Sequence, residues 1–186
     1  MDYSYIPLSD AERKQARVLA EALHISPVIA EILYRRGVTS VEALREYLYP
    51  QLASLPDPFS MLGMKEAVTR VVEARLAGHP LYIHGDYDVD GITSTSLLHA
   101  FFTEVGLESA YYIPKRTEEQ YGLSEASLKK LLHTATSAPK PVLITVDCGI
   151  SSFAEIILAR EQYGCDVIVT DHHLPGPELP AALAII

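Results

Sequence analysis

The sequence predicts an α/β fold: a parallel sheet flanked by helices, preceded by an α-helical N-terminal segment. Three observations predict it. From residue 81 onward, apolar runs of four to six residues alternate with helical segments, which is how strands joined by crossover helices read. Those runs are apolar on both faces, as a sheet covered on both sides requires. Before residue 81, apolar side chains recur at helical spacing instead.

Ser9 followed by Glu12 has the spacing of a capping box and opens a first helix through about Leu23. Ser26-Pro27 opens a second, with proline at the first helical position and Gly37 as its stop. Thr39 with Glu42 is expected to cap a third, short helix ending near Leu48. Residues 49–63, YPQLASLPDPFSMLG, hold three prolines and no period, and read as an ordered linker. Residues 64–76 return to helical spacing, ended by Gly78 and Pro80. Strands are expected at 81–85, 110–113, 142–147, 166–170 and 182–186, with helices at 92–105, 124–133 and 152–163. Ser152 and Glu155 are expected to form the capping box of the last helix. The chain therefore divides into a helical segment with linker, 1–63, and an α/β domain, 64–186.

A length of 186 residues with 48% hydrophobic content can bury a core of its own. The net charge of −9 argues against a protein that coats nucleic acid with a basic surface. An enzyme that holds phosphates through bound cations remains compatible with that charge. Cys148 and Cys165 form no CxxC pair, so they read as buried thiols in a reducing cytosol. No apolar stretch approaches the roughly 20 residues of a membrane span, and no charged segment precedes an apolar one as in a secretion signal. A soluble cytoplasmic protein without a membrane partner is expected.

The chemistry centres on residues 81–91, LYIHGDYDVDG. His84, Asp86, Asp88 and Asp90 fall at every second position, and alternate side chains of an extended chain share a face. Carboxylates this close stay ionised together only with a cation between them. An EF-hand calcium loop is excluded, because its twelfth position, counted from Asp86, is Leu97 and a strand rather than a helix precedes it. Asp147 ends a second apolar run and Asp171-His172-His173 ends a third. An aspartate after a strand often only caps the next helix, but Ser152 is available for that task. Adjacent histidines point different ways, so one is expected on metal and the other on substrate. Carboxylate and imidazole ligands without thiolate suit Mn²⁺ or Mg²⁺, and the carboxylates are too many for one ion. Two such ions can activate water for in-line displacement at phosphorus.

HGDYDVDGITSTSLL, YIPKR…YGL, ITVDCGISS and the Asp-His-His triplet together resemble the DHH phosphoesterase superfamily, within it the RecJ-type single-stranded-DNA-specific exonucleases. The resemblance runs from about residue 49 to the end and implies a Rossmann-like DHH domain. It implies that His84 and Asp88 hold one metal ion, Asp90 and His172 the other, and that Asp147 bridges them. Asp86 would orient water or ligands, His173 would contact the scissile phosphate, and Asp171 would fix a histidine tautomer. The implied reaction is 5′-to-3′ hydrolysis of single-stranded DNA in repair and recombination, with a single-strand-binding protein or helicase as possible partners. Family members carry a fourth motif and further C-terminal domains, so the α/β domain is expected to be truncated and weak or inactive by itself. The alternatives are a DHH phosphoesterase for oligoribonucleotides, cyclic dinucleotides or pyrophosphate, and a non-catalytic DHH scaffold.

Lys115 and Arg116, with Tyr121 and Gly122, form the expected substrate loop, a phosphate clamp beside a base-stacking platform. Lys115→Ala combined with Arg116→Ala should weaken single-stranded DNA binding and flatten its salt dependence. An unchanged slope of affinity against salt would remove this loop from the binding surface.

Overall fold

The computed structural model describes residues 7–119, 121–133 and 140–186. The chain divides into two compact units between Asp57 and Pro58, ahead of the break expected at residue 63. The reason is local: a single 3₁₀ turn at Pro58–Ser60 packs against the helix that follows it.

The first unit holds α1 (Asp10–Leu23), α2 (Pro27–Arg35) and α3 (Val41–Leu48), closed around Leu19, Leu33 and Leu44. The capping box at Ser9 and Glu12 is present in both directions. The cap of α3 is Ser40 rather than Thr39: its extended backbone lets Oγ accept the Ala43 N–H at 3.1 Å.

The second unit comprises α4 (Met64–Ala77), β1 (Leu81–Gly85), α5 (Val89–Glu104), β2 (Ser109–Tyr112), α6 (Glu125–Leu131), β3 (Val142–Val146), α7 (Phe153–Glu161), β4 (Asp166–Thr170) and β5 (Ala184–Ile185). All strand pairs are parallel, in the order β2-β1-β3-β4-β5. Every residue of β1 and β3 is buried, so their alternate side chains feed two cores. One face packs Ile83, Val142 and Ile168 beneath α4 and α5; the other packs Leu143 and Val167 beneath α6 and α7. Ser152 precedes α7 but makes no side-chain cap, because its backbone (φ −91°, ψ 59°) is not extended.

Buried Arg70 pins α4 to the N-terminal edge of the sheet. Its Nε donates to the Asp166 carboxylate at 2.7 Å and its Nη2 to the Lys140 carbonyl at 3.0 Å. Lys140 Nζ reaches the other Asp166 oxygen at 2.5 Å. Burial pushes the Asp166 pKa up, and these two cations with their hydrogen bonds overcome that, so the carboxyl sits below its ordinary value.

The opposite edge of the sheet carries the chemistry. Strand order reverses between β1 and β3, and such a switch point opens a crevice at the carboxyl ends of the strands. The turn from β1 into α5 is tight there: a Cβ on Gly91 would stand 2.3 Å from the Asp86 carbonyl oxygen. Gly91→Ala should therefore lower stability by about 1–3 kcal/mol, as overpacking against fixed backbone does. Urea unfolding at constant m-value measures this.

Candidate metal centre

Three parallel strands deliver the site. β1 runs into Asp86, which is fully buried, and β3 runs into Asp147, also buried. The pairing of β3 with β4 continues one step further, where the Asp147 N–H donates to the Thr170 carbonyl at 3.0 Å. This sets Asp147 beside Asp171 and the two histidines. Asp147 adopts a left-handed backbone, φ 60°, which short polar side chains tolerate better than most.

The expected face of alternating side chains ends at β1. The chain turns at Asp86, α5 begins at Val89 rather than near 92, and Asp88 is its N-cap. Asp88 Oδ1 accepts the N–H groups of Asp90 at 2.9 Å and Gly91 at 3.2 Å. Those bonds, the Gly91 one foremost, hold its carboxyl below the ordinary range. Asp90 therefore sits on the first helical turn. It lines an open cleft of ≈ 330 Å³ with Ser94, Asp147, Thr170, Asp171 and His172.

Two groups of potential ligand atoms lie within 4.8 Å of one another: Asp86, Asp88 and Asp147, and Asp147, His172 and His173. Asp147 belongs to both, and its Oδ1 is 3.1 Å from His172 Nε2. Its pKa is raised, by burial first and then by Asp88. Asp86 Oδ2 and Asp147 Oδ2 are buried without a hydrogen-bond donor. Two orphaned carboxylate oxygens facing a cluster of acids and imidazoles fit a divalent cation.

His84 and Asp90 belong to neither group among the described residues. His84 is wholly buried, with Nε2 2.9 Å from Ser127 Oγ and Nδ1 3.8 Å from Cys148 Sγ. Burial pushes its pKa down to about 4, so the ring is neutral.

Asp171 behaves as a strut. Its Oδ2 accepts the Ile150 N–H at 2.9 Å, and its Oδ1 accepts the His173 N–H at 3.1 Å and Nδ1–H at 2.7 Å. That contact leads the causes that raise the His173 pKa. Tyr121, expected in the substrate loop, turns its hydroxyl inward, 3.2 Å from the His173 ring nitrogens and 3.3 Å from the Asp147 carbonyl. Burial, then Asp171, pushes its pKa up, so the phenol stays a donor. Gly122 closes the loop with a left-handed backbone and a long N–H contact, 3.5 Å, to Asp86 Oδ1.

Arg116 reaches the site indirectly: its guanidinium lies 5.4 Å from the ring centre of Tyr87, which is edge-on to Tyr121 at 6.2 Å. Lys115 lies on the exposed side, 3.4 Å from Glu118. Tyr87 and Ser127 escape sequence reasoning. Tyr87 stands between two aspartates without a period of its own, and Ser127 reads only as a helix residue.

The family model for the DHH family, N-terminal domain, matches residues 80–186. The single-stranded-DNA-specific exonuclease RecJ of Bacillus subtilis is 40% identical over 175 residues, which cover 94% of this chain and 22% of that protein. Its namesake in Thermus thermophilus is 36% identical over 171 residues, covering 92% and 24%. The chain thus spans about a quarter of the length of these curated relatives. A crystal structure of exonuclease RecJ bound to manganese superposes with a TM-score of 0.61 at 35% identity, over 70% of this chain and 32% of that one. The Thermus thermophilus RecJ structure in complex with Mn²⁺ gives 0.64 at 31% identity, over 92% and 23%. The strand-end clusters and the match over residues 80–186 place the chain in one lineage: it belongs to the DHH family.

Proposed function

We propose that this chain is the catalytic-core part of a divalent-metal-dependent, 5′-to-3′ single-stranded-DNA exonuclease acting in DNA repair and recombination. The observation that carries the reading is the pair of orphaned carboxylate oxygens on Asp86 and Asp147 within ligand reach of Asp88, His172 and His173. Asp86, Asp88 and Asp147 would hold one Mn²⁺ or Mg²⁺, and Asp147 with His172 a second. The pair supplies Lewis-acid activation of water and charge neutralisation at phosphorus when bound. His173, oriented by Asp171 and braced by Tyr121, would offer Nε2 to a phosphate oxygen or to the leaving oxygen. Asp90, exposed on the first turn of α5, faces the same cleft and would receive water or ligand. His84, bonded through Nε2 to Ser127 Oγ, would back the cluster from the buried side. Arg116 and Tyr87 border the entrance for a strand, suited to phosphate and base respectively.

The 40% identity to a RecJ exonuclease supports the choice of substrate. A single-strand-binding protein or helicase would deliver the strand, and the cytoplasm would keep both buried thiols reduced. Among the described residues, no helix is long and apolar enough to cross a membrane.

Calorimetric titration with Mn²⁺ tests the site. Saturable heat is expected from the wild type, and Asp147→Asn should weaken the affinity at least about tenfold. Asparagine suits the variant because it accepts the left-handed backbone at this position. No metal-dependent heat from the wild type would end the reading. Oligonucleotide binding in Mn²⁺, followed by anisotropy, should favour single strands over duplex, and equal affinity would count against an exonuclease of this class.

The same variant should make the protein more stable in chelator. The Asp147 pKa is raised on folding, so its carboxyl favours the fold below that pKa and disfavours it once ionised. Replacing it by a neutral isostere should raise the thermal midpoint at pH 7, with the gain vanishing as pH falls below the ordinary aspartate range. A lowered midpoint at pH 7 would show that the carboxylates are not in conflict.

A further inference from the structure

Glu118 and Glu119 stand where a phosphate-binding loop gains least from acids, next to Lys115 and Arg116. Their side chains have different surroundings. Glu118 is exposed and only 3.4 Å from exposed Lys115, an arrangement that contributes little. Glu119 is withdrawn, its side chain 12% accessible. Both of its oxygens accept the Tyr112 hydroxyl, at 2.6 and 2.7 Å, and Lys130 Nζ donates to Glu119 Oε1 at 3.0 Å and to the Tyr112 hydroxyl at 2.9 Å.

These three residues come from three elements: the end of β2, the loop after it, and α6. Short bonds to a charged acceptor are the stronger kind, and a closed triangle of them fixes all three side chains. The backbone between is a tight turn, with the N–H groups of Glu118 and Glu119 both donating to the Lys115 carbonyl at 2.9 Å. Fixing Glu119 therefore fixes the segment that presents Arg116 to Tyr87. Tyr112 extends the connection inward, its ring centre 5.8 Å from that of His84.

We propose that Glu119 is a positioning residue, which with Tyr112 and Lys130 anchors the 113–119 loop so that Arg116 is held at the mouth of the metal centre. The acid is thereby turned away from the strand's path, and its charge is neutralised by Lys130. This role rests on the nucleic-acid reading only for its purpose; the anchoring itself is a property of the loop.

Two measurements on this chain test it. The first is limited trypsin cleavage after Lys115 and Arg116, which tracks how often the loop opens. Glu119→Ala and Tyr112→Phe should each speed this cleavage by about fivefold or more, and Glu118→Ala should leave it unchanged. Tyr112→Phe removes one oxygen only, so it guards against a folding defect in the glutamate variant. The second is Mn²⁺ affinity by calorimetry, which should stay within about twofold of wild type in all three variants. Unaltered cleavage in both Glu119→Ala and Tyr112→Phe would overturn the proposal. So would a matching loss of Mn²⁺ affinity, because the triangle would then support the whole site rather than the loop. Anisotropy with a single-stranded oligonucleotide adds a third arm, in which Glu119→Ala should bind more weakly than wild type. A wild type that binds no single strand would sink the nucleic-acid reading, while cleavage would still decide the anchor.

Discussion

The structure turns on the crowding of negative charge at one edge of a buried sheet. Asp86 and Asp147 end neighbouring strands, Asp88 caps the next helix, and both buried acids keep an oxygen without a donor. Two carboxylates at such spacing repel by several kcal/mol at the effective dielectric of a protein site. A fold selected for stability alone would not collect them. Parallel pairing makes the collection possible, because adjacent parallel strands end side by side and their next residues must meet. The reversal of strand order at β1 and β3 then leaves that meeting point uncovered by a crossover.

Around this conflict the protein arranges separate kinds of support. Backbone N–H groups of α5 hold Asp88 ionised; Asp171 ties the Ile150 backbone to the His173 ring; buried neutral His84 and Ser127 fill the space beneath. At the far edge, the Arg70 network clamps α4 against the sheet. The stabilising ion pairs and the functional acids thus occupy opposite ends of the same strands, so neither perturbs the other.

Most of the fold was legible in the sequence because its strands are short, apolar and regularly spaced, and the helices between them carry caps. The cluster was legible because Asp, His and paired motifs sit directly after those strands. What could not be read was geometry shorter than a strand. Periodicity alone puts His84, Asp86, Asp88 and Asp90 on one face, but Gly85 ends β1 and Asp88 caps a helix, so His84 lies within the buried strand while Asp90 reaches the cleft from the first turn of α5. The caps of α3 and α7 differ from expectation for a similar reason: a side chain caps only from an extended backbone, which Ser40 has and Ser152 lacks. The acids of the loop after β2 look unfavourable in one dimension and become intelligible only when Tyr112 and Lys130 are seen around Glu119.

The left-handed backbone of Asp147 narrows what natural variation can do at that position. Glutamate would keep the charge but brings a longer stem and a poorer fit to that conformation; asparagine and glycine fit the conformation but give up the anion. No single replacement preserves both properties. Giving up this aspartate by the easiest route, asparagine, would leave the end of β3 standing and remove only the anion that both sets of ligand atoms share.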